Sequence, residues 1–162
     1  MPTSRDGAVR RFGDQPHAVP PLPDSGPSSS GPRSTSGSCR VLMVDDEELI
    51  RRMAAGMARR IQVDLVTVGT AGEALEVARS TDIHVLITDM VLGEGLDGIA
   101  LAHQIGAARP DLSLVLMSGY EPSQFDLEGL PAGTQFLMKP FNSDSLSRCI
   151  TAARQHAASR TW

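Results

Sequence analysis

Asp45, Asp46, Asp89, Ser118 and Lys139 all follow short apolar runs: Val41-Leu42-Met43-Val44, Val85-Leu86-Ile87-Thr88, Leu114-Val115-Leu116-Met117 and Phe136-Leu137-Met138. Three carboxylates brought within a few ångströms repel one another unless positive charge intervenes. Lys139 supplies one such charge. A hard divalent cation would supply more, and Mg2+ suits one or two carboxylates together with waters and phosphate oxygens. A carboxylate can also act as a nucleophile and carry a phosphoryl group. That transfer needs mainly alignment and positive charge on the equatorial oxygens. Asp46 and Asp89 are expected to hold the Mg2+, and Ser118 to hydrogen-bond an arriving phosphoryl oxygen, with Gly119 leaving access. Each piece has a plainer reading by itself: two acids cap a helix, Ser-Gly makes a turn. Four separate run ends in this order carry the chemical reading.

Those residues need elements to bring them together. The run ending at Asp89 has β-branched residues and no turn formers, as a strand buried on both faces does, and the other apolar runs read as short strands. Between them lie helical patterns. Leu49, Ile50, Met53, Met57 and Ile61 keep helical spacing after the acids that open the first helix. Asp64 to Val68 alternates as a strand. Thr70 with Glu73 makes a capping box for a helix to about Ser80. Asp97 caps a helix from Gly98 to about Arg109, which Pro110 stops. From Tyr120 to Thr134, Gly129, Pro131 and Gly133 leave room for about two helical turns at most, opening at Pro122. A last helix runs from Asn142 or Ser143 to about His156, with Leu146, Ile150 and Ala153 inward. Alternating strands and helices mean an α/β fold, a parallel sheet with helices on both faces. Open sheets of this kind bind ligands beyond the carboxyl ends of their strands.

Composition narrows the class. The 162 residues carry a net charge of −4. No apolar run approaches the ~18 residues that span a bilayer, and no apolar stretch follows the N-terminal arginines as in a secretory signal. The expectation is a cytoplasmic protein without membrane insertion. Residues 1–38 hold seven of the eleven prolines and much Ser and Gly; such a segment buries too little to offset its ordering entropy and is expected to be a disordered extension. From residue 39 on, eleven Arg and Lys face sixteen Asp and Glu, which argues against direct nucleic-acid binding. Cys39 and Cys149 are read as reduced thiols, and His17, His84, His103 and His156 form no metal-ligand pattern.

The motifs together resemble the receiver domain of two-component response regulators: Val44-Asp45-Asp46-Glu47, Ile87-Thr88-Asp89-Met90, Leu96-Asp97-Gly98, Met117-Ser118-Gly119-Tyr120 and Phe136-Leu137-Met138-Lys139-Pro140-Phe141. The likeness spans about Arg40 to Ala158, giving a receiver domain over 39–160. It implies a flavodoxin-like fold with five parallel strands in the order 2-1-3-4-5. It implies that Asp89 is the phosphoacceptor, supplied by a histidine kinase or a histidine phosphotransfer protein. It implies Mg2+ ligands at Asp46, Asp89 and the backbone carbonyl of Val91, with Asp45 acting through water. Ser118 and Lys139 match the phosphate-contacting hydroxyl and amine, and Phe136 the aromatic switch position. The loop Leu92-Gly93-Glu94-Gly95-Leu96 lacks the family's usual proline and reads one residue longer. With Ser-Gly-Tyr and a poor fourth helix, this form is similar to receivers attached to hybrid histidine kinases.

The expected function is a single-domain response regulator that signals to a downstream protein target, or a phosphorelay intermediate or phosphate sink. It is not an enzyme beyond assisting its own phosphorylation and slow dephosphorylation. Two other classes share the architecture. A flavodoxin-like cofactor binder needs a Ser/Thr/Gly-rich phosphate loop after the first strand, where Asp-Asp-Glu-Glu would repel phosphate. An aspartyl-phosphate hydrolase wants a second acid two residues after the nucleophile, where Val91 stands.

Overall fold

The computed structural model describes residues 39–93 and 97–158. The extension over 1–38, and Glu94, Gly95 and Leu96 of the longer loop, lie outside the described residues. In order the elements are β1 (Arg40–Val44), α1 (Glu48–Arg60), β2 (Asp64–Val68), α2 (Ala71–Ser80), β3 (Val85–Asp89), α3 (Gly98–Ala108), β4 (Ser113–Ser118), a 3-10 turn (Pro122–Gln124), β5 (Gln135–Met138) and α4 (Ser143–Ala158). The five strands form one sheet in the order β2-β1-β3-β4-β5, every pairing parallel. This is the expected flavodoxin-like arrangement.

Side chains alternate across each strand and so feed two separate cores. Leu42, Val44, Leu86, Leu114 and Leu116 face α2 and α3, meeting Ala74, Leu101 and Ile105. Val41, Met43, Val85, Ile87, Val115 and Met117 face α1 and α4, meeting Ala54, Leu146 and Ile150. With both faces covered, β3 is buried at all five positions, which is why it reads as a continuous apolar run.

The helix starts are set by local chemistry. Thr70 and Glu73 form the expected capping box on α2. Asp97 Oδ1 accepts the Ala100 N–H at 2.7 Å at the start of α3, and Asn142 Oδ1 accepts from Ser145 at 2.9 Å at the start of α4. The first helix departs from expectation. It begins at Glu48, and Glu47 at the cap position makes no side-chain cap bond. Leu49 and Met53 point outward, 68% and 46% exposed, while the buried residues of α1 are Ala54 and Ala58. Small residues there bring the helix close to the sheet, so the wider apolar spacing read from sequence includes two residues outside the packed face.

Between β4 and β5 the only helical geometry among the described residues is the single 3-10 turn at Pro122–Gln124. Gly129 and Gly133 take φ of +80° and +87°, which an α-helix cannot accommodate. Phe125, Leu127 and Leu130 from this irregular stretch pack on the core beneath α2 and α3.

Candidate functional site

Strand register places the chemistry. Val44 is level with Thr88, Asp89 with Met117 and Ser118 with Met138. Asp45, Asp89, Ser118 and Lys139 therefore stand one step along a single rim, at the carboxyl ends of β1, β3, β4 and β5. β1 and β3 are neighbours at the point where strand order reverses, the usual ligand position in such sheets. Backbone bonds extend the ladder into this rim: Asp45 N–H to Val68 O, Met90 N–H to Met117 O and Lys139 N–H to Ser118 O. The rim opens into a cleft of about 630 Å3 lined by Asp46, Glu47, Asp89, Val91, Ser118, Gly119, Tyr120 and Lys139.

Lys139 joins the carboxylates. Its Nζ lies 2.7 Å from Asp45 Oδ2, closer still to Asp89 Oδ2, and 3.7 Å from Glu47 Oε1. Burial works to lower the lysine pKa, but the close contacts with the Asp45 and Asp89 carboxylates and their charge outweigh it and hold the ammonium above its usual range. Asp45 is fully buried. Its Oδ1 takes the Glu47 N–H at 2.8 Å. Its Oδ2 meets Lys139 as a charge, without the alignment of a hydrogen bond. Asp89 is also buried, with Oδ1 accepting the Val91 N–H at 2.9 Å. Asp46 is exposed to the cleft and has no donor on its carboxylate among the described residues. Ser118 is buried, and its Oγ accepts the Tyr120 N–H at 2.9 Å.

The donor set fits a hard cation. Asp45, Asp46 and Asp89 each offer an oxygen, and these oxygens lie within 4.8 Å of one another. One ammonium faces three carboxylates, one of them open to the cleft and another with a buried oxygen lacking an aligned donor. That is the charge balance an oxygen-seeking divalent ion corrects.

Sequence reasoning missed several contributors. Glu47 lines the cleft and reaches toward Lys139. Gly93 is passed closely by the Asp46 carboxylate; a Cβ there would stand 3.2 Å from Oδ2. Gly98 abuts the backbone carbonyl of Asp89. Arg51 donates from Nη1 to the carbonyls of Asp45 and Asp46. The available signals were a glycine at the first position of a capped helix and an arginine one helical turn past an acidic loop. Phe136 is 43% exposed beside a hollow of about 180 Å3 that Ser118, Tyr120 and Leu116 also line.

A doubly wound five-stranded sheet with an acid cluster and one lysine at its carboxyl rim defines the class. The family model of the response regulator receiver domain matches residues 41–151, and the chain belongs to that family. Phosphorylation on aspartate and use of Mg2+ through acidic residues are general to it. The chain is 33% identical over 122 residues to sensor kinase CckA of Brucella abortus, covering 71% of this chain and 12% of that one. It is 27% identical over 111 residues to the uncharacterized transcriptional regulatory protein YesN of Bacillus subtilis, covering 66% and 30%. It thus spans a minor part of these curated relatives. Among solved structures, NtrX from Brucella abortus superposes with a TM-score of 0.69 at 27% identity, covering 76% of this chain and 28% of that one. A CheY-like receiver domain protein from Methanospirillum hungatei superposes at 0.67 and 22% identity, covering 75% and 98%, a likeness of fold. No described helix is long and apolar enough to cross a membrane.

Proposed function

We propose that residues 39–160 act as a receiver that takes a phosphoryl group on Asp89 from a phosphohistidine of a kinase or phosphotransfer protein. The observation that carries this is the Lys139 ammonium set between Asp45 and Asp89 beside an open Asp46 carboxylate. An Asp89 oxygen attacks phosphorus, the phosphorus–nitrogen bond breaks, and its electron pair returns to the imidazole. Lys139 then passes from the carboxylate to a phosphoryl oxygen. Ser118 keeps the Tyr120 N–H on its lone pair and donates its hydroxyl proton to another phosphoryl oxygen. Asp46, Asp89 and the Val91 carbonyl, with Asp45 behind them, would hold Mg2+, which neutralises charge on the transferring group.

The output is a changed protein-binding surface. The added charge draws Ser118 and the Tyr120 loop inward. The hollow beside Phe136 gives the ring room to follow, away from its half-exposed place on β5. The chain's own chemistry is confined to gaining and slowly losing this phosphate in the cytoplasm. A single-domain regulator with a downstream protein target and a phosphorelay intermediate share these steps. Onward transfer from Asp89 to a phosphotransfer histidine marks the relay.

Wild type and Asp89→Asn, incubated with acetyl phosphate with and without Mg2+ and read by intact mass, test the reading. One phosphoryl group gained only with Asp89 and Mg2+ both present is expected. No gain from acetyl phosphate or from a phosphohistidine protein overturns it.

A further inference from the structure

Arg51 lies on the first turns of α1, behind the acidic loop and outside the cleft lining. Its Nη1 donates to the backbone carbonyl of Asp45 at 2.7 Å and to that of Asp46 at 3.1 Å. The same guanidinium lies against the loop after β2: a Cβ on Gly69 would stand 3.3 Å from Nη1 and 3.5 Å from Cζ. That second loop is itself pinned. Glu73 Oε2 accepts the Gly69 N–H at 2.9 Å and the Thr70 N–H at 3.2 Å. Those bonds hold the Glu73 carboxyl below its usual range, and the Arg51 charge adds to the effect. One planar cation thus bonds to the Asp45–Asp46 backbone and lies beside the Gly69 backbone.

This placement bears on Asp46 in particular. Asp45 is aimed by Lys139 and by the Glu47 N–H, and Asp89 by Lys139 and the Val91 N–H. Among the described residues nothing donates to the Asp46 carboxylate, so the peptide groups on either side of it set its direction. Arg51 holds the carbonyls of both. It also places a positive charge behind a run of four acids, Asp45 to Glu48, that repel one another.

We propose that Arg51 is a positioning residue that presents the Asp46 carboxylate and so sets the cation affinity of the acid cluster. The inference rests on the receiver reading through its use of Asp46. Both bonds leave one nitrogen, Nη1, while the rest of the planar guanidinium sits beside Gly69, a placement that the compact Lys ammonium reproduces only in part.

The test compares full-length wild type, Arg51→Gln and Arg51→Lys. Mg2+ affinity of the unphosphorylated proteins is measured by calorimetry, and acetyl-phosphate labelling is followed across Mg2+ concentrations. Arg51→Gln is expected to weaken Mg2+ binding by about tenfold or more, as loss of groups that orient metal ligands does. Arg51→Lys falls between it and wild type, and saturating Mg2+ restores most of the labelling rate. Unchanged Mg2+ affinity in a folded Arg51→Gln overturns the inference, as does a labelling defect that saturating Mg2+ leaves in place. If Arg51→Gln does not fold, Arg51→Lys decides by the same two readouts. Wild type that binds no Mg2+ overturns the receiver reading and this inference with it; wild type that binds while both variants bind equally overturns this inference alone.

Discussion

Gly98 packs directly on the backbone carbonyl of Asp89: a Cβ built on Gly98 would lie 1.5 Å from that oxygen and 2.9 Å from Thr88 Oγ1. The first turn of α3 is therefore seated against the end of β3. Thr88 Oγ1 in turn donates to the same Asp89 carbonyl at 3.1 Å. The backbone of Asp89 is held from two sides, by a missing side chain and by a hydroxyl.

Gly98→Ala follows from that contact. The methyl cannot fit without displacing α3 or the end of β3. Destabilisation at or above the upper part of the ~1–3 kcal/mol range for overpacking is expected. Urea unfolding of both proteins measures it, and an unchanged midpoint would count against the close approach.

Lys139 ties stability to pH. Its folded-state pKa is raised, so its contribution is fully present below the unfolded value of 10.5 and fades as pH climbs through the folded value. Lys139→Met leaves buried Asp45 and Asp89 without their counter-charge and is less stable at neutral pH. The gap from wild type should narrow above pH 10.5. A gap that stays constant from neutral to strongly alkaline pH, by denaturant unfolding, would show that the ammonium does not stabilise the pair.

On the proposed receiver reading, Val91 is expected to set how long the phosphate lasts. It stands two residues past Asp89, is 55% exposed at the cleft, and carries no group able to hydrogen-bond an attacking water. Slow self-hydrolysis is expected, with Val91→Asn severalfold faster because its amide can orient water. Decay of the phosphorylated mass in Mg2+ reads this directly; loss within seconds in wild type would refute it.

Cys149 is expected to resist thiol reagents in the native state. It is 8% exposed, and burial pushes its thiol up to about 11, so little thiolate exists at neutral pH. Cys39, also buried, is raised by the same cause. Iodoacetamide at neutral pH should label both promptly in denaturant and slowly without it. Rapid native labelling of Cys149 would mean that the β5–α4 packing opens easily.

Much was legible because the relevant physics is local. Strands buried on both faces read as apolar runs, and those runs end where Asp45, Asp89, Ser118 and Lys139 now stand. The Thr70–Glu73 box and the Asp97 cap needed only neighbours three residues away. Leu49 and Met53 keep the helical spacing yet lie outside the packed face, because spacing shows which residues share a stripe on a helix. It does not show which part of that stripe the sheet will cover.

By itself the sequence determined the strand–helix alternation, the break between β4 and β5, and which side chains sit at strand ends, since each follows from periodicity, caps and turn residues. Only the tertiary structure decided the rest. Lys139 meets Asp89 across 50 positions of chain because parallel register levels their strands. Gly98 had to be glycine because a carbonyl from another element occupies its side-chain space. Arg51 reaches the Asp45 and Asp46 carbonyls and Gly69 together because two loops, distant in sequence, fold beside one guanidinium. Contacts between elements depend on how the sheet brings backbones together, and no spacing within one stretch of chain encodes them.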